Sequence, residues 1–113
     1  MRPGFKLYFI SDRKLAAAHG GLLAIAGAAL RSAPPGTVAI QLREKDLAAR
    51  ELLELATALR TLCTRYNAKL LINDRIDVAL ASGADGVHLP ADSFAVADAR
   101  ELVGPQRLIG VST

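Results

Sequence analysis

Short apolar runs closed by polar residues recur along this chain, separated by stretches whose apolar positions return every three or four residues. The first pattern marks strands and the second helices. Residues 7–12 form an apolar run ending in Ser11 and Asp12, and the Ala- and Leu-rich residues 14–31 predict one helix after it. Ala33, Pro34, Pro35 and Gly36 interrupt, residues 37–43 return to strand character, and Asp46 offers a helix N-cap. The next helix has the strongest signal, with Leu52, Leu55, Ala56, Leu59, Leu62, Cys63 and Tyr66 on one face and Arg50, Glu51, Glu54, Arg60 and Arg65 around the rest. Residues 69–73, 86–89 and 108–112 predict three more strands. Residues 76–82 and 96–103 predict two more helices, ended by Gly83 and by Gly104 with Pro105.

Five strands alternating with four helices call for a parallel sheet joined by right-handed crossovers. Both an open doubly wound sheet and a (β/α)8 barrel meet that requirement. Asp12, Arg43, Lys45, Asn73, Asp74, His88 and Ser112 fall at or near the carboxyl ends of successive strands, where barrel enzymes build their sites. An open sheet gathers such groups at one switch point, and no Gly-x-Gly-x-x-Gly follows the first strand. The expectation is therefore a TIM-barrel α/β domain over residues 1–113, holding about the first five strands and four helices. A complete barrel typically takes about 250 residues, so the chain is expected to be truncated at its C-terminal side.

The chain has 113 residues, about half of them apolar, which suits one globular unit. No apolar stretch reaches the roughly 18 residues of a membrane helix, and the start lacks an apolar signal segment, so a cytoplasmic location is the expectation. The single cysteine, Cys63, excludes a disulfide framework and sits on an apolar helical stripe, as a buried thiol would. A net charge of +3 is mild, and two tyrosines and three phenylalanines do not interleave with any basic run, so nucleic acid is not implied.

Two polar constellations carry the chemistry: Gln41, Leu42, Arg43, Glu44 and Lys45 after one strand, and Asn73 and Asp74 after the next. Because strand side chains alternate, Gln41 and Arg43 share the face of Ala39, and Lys45 continues it into the loop. An amide, a guanidinium and an ammonium on one face suit a polyanion such as diphosphate. Asp74 would be repelled by that anion unless a hard cation lay between them, and Mg²⁺ is commonly held by one or two carboxylates together with substrate phosphates. On their own, Asn73 and Asp74 equally suit a plain strand-to-helix turn.

The runs Tyr8 to Asp12, Gln41-Leu42-Arg43-Glu44-Lys45, Leu71-Ile72-Asn73-Asp74-Arg75, residues 82–89 and residues 108–112, in this order, resemble the thiamine phosphate synthases and the related thiazole tautomerases. The resemblance implies a (β/α)8 barrel that joins an aminopyrimidine diphosphate to a thiazole phosphate and releases diphosphate. It implies that Gln41, Arg43, Lys45 and Asn73 hold the departing diphosphate, with Leu42 and Glu44 in the same substrate-binding run, that Asp74 binds Mg²⁺, and that Ser112 contacts the pyrimidine.

Two departures accompany the resemblance. Synthases usually place a second metal-binding Asp five residues after the histidine of the fourth strand, where this chain has Ser93. Asp92, one residue earlier, either serves the same metal through a shifted loop or caps the following helix. The Leu89-Pro90-x-x-Ser93-Phe94 form is closer to the tautomerases, whose reaction needs neither diphosphate nor metal. The second departure is length: relatives carry three further strand-helix units. The first and fifth strands are then expected to be exposed apolar edges, covered by self-association or by a missing C-terminal half. A non-catalytic half-barrel that binds phosphate-bearing ligands is the remaining alternative.

Overall fold

In the computed structural model, which describes residues 7–112, five parallel strands lie side by side in chain order. They are β1 (Leu7–Ile10), β2 (Val38–Leu42), β3 (Lys69–Asn73), β4 (Gly86–Leu89) and β5 (Leu108–Val111). The helices between them are α1 (Arg13–Ala16), α2 (Leu22–Ser32), α3 (Ala49–Arg65), α4 (Ile76–Ser82) and α5 (Val96–Val103). The order never reverses, so the sheet has no switch point of the doubly wound kind. Consecutive β/α units laid down without reversal are the construction of a TIM-type barrel. Among the described residues, no single helix is long and apolar enough to cross a membrane.

Strand alternation divides the sheet into two chemically different faces. Val38, Ile40, Leu42, Leu70, Ile72, Val87 and Leu89 point toward the helices and join Leu59, Cys63, Ala56 and Ala99 in the core. The opposite face carries Tyr8, Ile10, Ala39, Gln41, Asn73 and His88, placed abreast by the pairings Tyr8 with Ala39, Ile10 with Gln41 and Asn73 with His88. Cys63 is fully buried and burial pushes its thiol up to about 12, so it stays protonated and inert. The edge strands expose Leu7, Tyr8 and Ile10 on one side and Val111 on the other.

Two expectations need correction. The single helix over residues 14–31 is split into α1, a 3₁₀ turn (Ala17–His19) and α2, because Gly20 and Gly21 both adopt positive φ, 93° and 99°. That left-handed backbone ends one helix and starts another, and glycine enters it at little steric cost. Asp46 is not an N-cap: α3 is entered through Ala48 with no side-chain cap, while Asp46 is drawn to Arg13 and Lys14 of the preceding unit.

Gly86 marks the tightest strand approach, since a Cβ there would lie 2.2 Å from the Leu108 carbonyl oxygen. Neither backbone can yield without breaking the β4–β5 pairing. Gly86→Ala should therefore lower stability by about 3 kcal/mol, the upper part of the usual overpacking range, as read by urea denaturation. Retention of full stability would show that the two strands separate easily.

Candidate functional site

The mouth of the sheet is assembled from the loops that follow β1, β2, β3 and β4. Gln41 is almost fully buried, 2% exposed, and is the hub of an inner-face chain. Its Nε2 donates to the Tyr8 hydroxyl at 2.8 Å, and its Oε1 accepts from Asn73 Nδ2 at 2.9 Å. These bonds fix the orientation of the Gln41 amide. Partial burial, partly offset by the Gln41 bond, raises the pKa of the half-exposed Tyr8, so its hydroxyl keeps a proton to donate into the space above.

That space is a cavity of about 410 Å³ bounded by Tyr8, Ile10, Gln41, Arg43, Lys45, Asn73, His88, Pro90, Ala91 and Ser112. Such a volume falls among ordinary small-molecule sites, roughly 300–1,000 Å³. On the β4–β5 side, the His88 Nε2 lies 2.7 Å from the Ser112 hydroxyl. The ring reaches it by lying over Gly110, where a Cβ would come within 2.7 Å of Nδ1. Burial lowers the His88 pKa, which keeps the imidazole neutral at pH 7.

A second cavity, about 280 Å³, adjoins the first and shares Lys45, Asn73 and Pro90 with it. Its walls include Asp74, Asp92, Arg75 and Glu44, with Leu42 at its base. Asp74 adopts a left-handed backbone, φ 63°, while its N–H continues the β3–β4 ladder to the His88 carbonyl at 2.8 Å. The chain turns sharply there, the Arg75 N–H reaching back to the Asn73 carbonyl at 2.7 Å. Asp tolerates this conformation better than most residues, at a cost on the order of 1–2 kcal/mol. The Asp74 carboxylate accepts the Ser93 hydroxyl. Asp92 caps no helix, since α5 begins after Ala95, which makes no side-chain cap bond.

The structure thus brings Gln41, Arg43, Lys45, Asn73, Ser112, Asp74 and Asp92 to one mouth. Leu42 and Glu44 also border the second cavity, but their main contacts are with other groups. Leu42 belongs to the core between sheet and helices, and the Glu44 carboxylate is taken by the Ser11 hydroxyl at 2.6 Å and the Arg13 N–H at 3.1 Å. Asp12, which sits at the mouth in sequence, is the N-cap of α1, accepting the Leu15 N–H at 3.0 Å. Sequence reasoning assigned nothing to Tyr8 or Ser11. The strand register carries the signal for Tyr8, two residues from Ile10 on the face that bears Gln41.

Charge is sorted around the mouth. Arg13 and Lys14 are engaged by Asp46, and Arg75 grips Asp77 with both Nε and a terminal nitrogen, at 3.1 and 2.8 Å. Hydrogen bonds from Arg13, then Lys14, lower the Asp46 pKa, and the Arg75 bond lowers that of Asp77. Among the described residues, Arg43 and Lys45 make no ion pair within 4 Å and line the first cavity together. They can receive an anion. Beside them, Asp74, Asp92 and the Ser93 hydroxyl are hard oxygen donors. Among the described residues no group of three or more acidic, His or Cys side chains converges, so any cation here would complete its shell with ligand oxygens and water.

Comparison with known proteins accords with this geometry. The family model described as thiamine monophosphate synthase matches residues 7–113. A Geobacter sulfurreducens relative is 56% identical over 108 residues, covering 96% of this chain and 49% of that protein. The thiamine-phosphate synthase of Solidesulfovibrio magneticus is 46% identical over 114 residues, 99% of this chain and 52% of its own length. Among solved structures, thiamine phosphate pyrophosphorylase from Pyrococcus furiosus superimposes with a TM-score of 0.83 at 37% identity, covering 98% of this chain and 51% of that one. The chain spans about half the length of the curated relatives it matches. Sequence motifs, sheet order and family match agree, and the chain belongs to the thiamine monophosphate synthase family.

Proposed function

We propose that this chain carries the aminopyrimidine diphosphate half of a thiamine phosphate synthase site, used to join that substrate to a thiazole phosphate with release of diphosphate. The observation that carries the reading is the pair of adjoining cavities with Lys45 and Asn73 at their seam. One offers Tyr8, Gln41, His88 and Ser112 to a flat polar ring. The other offers two carboxylates and shares Lys45 with the first, which Arg43 also lines; among the described residues neither cation is in an ion pair.

In this arrangement the diphosphate lies across the seam, its oxygens met by the Arg43 fork, the Lys45 ammonium and the Asn73 amide. As the bond from carbon to the diphosphate oxygen breaks, negative charge accumulates on the leaving group. Cations already in place interact more strongly with that charge than with the intact substrate, which lowers the barrier. The neutral His88 orients the Ser112 hydroxyl toward the pyrimidine. Asp74, with Asp92 on the same wall, fits Mg²⁺. Bound there, Mg²⁺ would neutralise diphosphate charge and orient the leaving group.

The alternative, a thiazole tautomerase, draws on Ser93, whose hydroxyl bonds Asp74 at the position where synthases are expected to place a second metal-binding aspartate. Titration with diphosphate in the presence and absence of Mg²⁺ separates the two. The synthase reading expects metal-dependent binding, and a folded chain that ignores diphosphate under both conditions sinks it.

Three further outcomes are expected. Arg43→Ala should weaken diphosphate binding by about tenfold or more, the worth of a charge-assisted hydrogen bond of roughly 1.5–3 kcal/mol. Asp74→Asn should leave residual diphosphate binding and remove its enhancement by Mg²⁺, as calorimetry would record. For His88, folding depresses the pKa, so as pH falls below about 6.5 the unfolded chain takes the proton first and stability drops. A His88 ring NMR titration with its midpoint at or above 6.5 would contradict the lowered pKa.

A further inference from the structure

Glu44 stands between the two cations of the diphosphate site, yet its carboxylate is bound by residues that follow β1. Arg43 and Lys45 are exposed, whereas Glu44 is only 9% exposed. Its carboxylate is gripped by the loop that follows β1: the Ser11 hydroxyl donates to Oε2 at 2.6 Å, and the Arg13 N–H lies 3.1 Å from both oxygens. The Arg13 side chain adds a compensating charge, its Nε 3.6 Å from Oε1. The same Ser11 oxygen accepts the Arg43 backbone N–H at 2.8 Å, and the Ser11 N–H donates to the Gln41 carbonyl at 2.9 Å. One short segment of the first loop therefore holds the backbone at Gln41 and Arg43 and the side chain of Glu44.

We propose that Glu44 is a positioning residue that, through Ser11 and the Arg13 amide, anchors the loop after β2 so that Arg43 and Lys45 are both presented to diphosphate. β2 ends at Leu42 and the chain turns at Lys45, so strand pairing does not itself direct Arg43 and Lys45; the bonds that tie the Glu44 carboxylate and the Arg43 backbone to Ser11 fix the segment between them. Anchoring also solves an electrostatic problem, because an untethered carboxylate between two cations would neutralise them in place of the substrate. Bound to Ser11 and compensated by Arg13, Glu44 leaves the Arg43 and Lys45 charges available. A site held in advance by such support does not have to be assembled when the anion arrives. The inference rests on the diphosphate reading above and adds to it a role for the one acidic member of the Gln41–Lys45 run.

The test compares diphosphate binding by the wild-type chain, Glu44→Ala, Glu44→Gln, Ser11→Ala and Asp85→Asn, each checked for folding by circular dichroism and titrated well below its melting temperature. Charge alone predicts that removing Glu44 tightens anion binding. Positioning predicts the reverse: Glu44→Ala should weaken binding about tenfold or more, in line with the cost of misplacing a binding group by about 1 Å. Glu44→Gln, whose amide oxygen can still accept the Arg13 N–H, should stay close to wild type. Ser11→Ala should follow Glu44→Ala. Asp85, which accepts the Leu70 N–H at 2.8 Å at the opposite end of the sheet, serves as a structural control, and its substitution should leave affinity unchanged.

Folded Glu44→Ala that binds diphosphate as well as wild type, or better, overturns the positioning role and leaves the diphosphate reading intact. Should Glu44→Ala fail to fold, unchanged affinity in Ser11→Ala overturns it equally. A wild-type chain that does not bind diphosphate overturns both readings.

Discussion

The register of the parallel sheet is the constraint on which the site depends. Along β2, β3 and β4 the residues directed to the helices are Ile40, Leu42, Leu70, Ile72, Val87 and Leu89, all essentially without solvent exposure. Those directed the other way include Gln41, Asn73 and His88. A slip of one residue in any strand would exchange these sets, burying an amide or imidazole among aliphatic side chains and exposing a leucine. Burying unpaired polar groups costs about 1–3 kcal/mol each, so the apolar core that stabilises the sheet also dictates where the polar groups stand. Fold and site share one determinant.

That determinant leaves a secondary problem, because Gln41 and Asn73 are buried even on the correct face. They resolve it by bonding one another and Tyr8, across three neighbouring strands. The bonds satisfy groups that water no longer reaches and select one amide orientation for each side chain. Rigidity of the cavity floor follows from satisfying buried polarity, without any additional device. The left-handed turn at Asp74 has a similar double character. It ends β3, and it carries the carboxylate into the cavity beside Lys45.

What the sequence made legible was whatever depends on local periodicity. The five strands, the long amphipathic α3, the closure of α4 at Gly83 and the two polar clusters at strand ends follow from spacing two and spacing three to four. The break at Gly20 and Gly21 was obscured because the flanking Ala- and Leu-rich segments favour helix so strongly that two glycines read as tolerated defects. The cap expected at Asp46 fails for a different reason. Asp before a helix is a good local cap, but in Asp46 that preference loses to two cations, Arg13 and Lys14, at the start of α1 more than thirty positions away in sequence. Ser11 and Tyr8 had no local signal at all, since their partners Glu44, Arg43 and Gln41 become neighbours only after strand pairing.

The distribution of ion pairs decides which cations at the mouth of a chain of only mild positive charge are available to an anion. Most basic side chains near the mouth are matched by carboxylates on the same surface: Arg13 and Lys14 by Asp46, Arg75 by Asp77. Exposed pairs of this kind add little stability, about 0–1 kcal/mol each. Their larger effect is to cancel the field around the rim. Arg43 and Lys45 escape that cancellation because the acids next to them in sequence, Glu44 and Asp46, are bound by Ser11 and by Arg13 and Lys14. Net charge is a poor guide to such a site. The relevant quantity is which cations the fold leaves unmatched, and among the described residues these stand beside two carboxylates suited to sharing a divalent ion with a phosphate group.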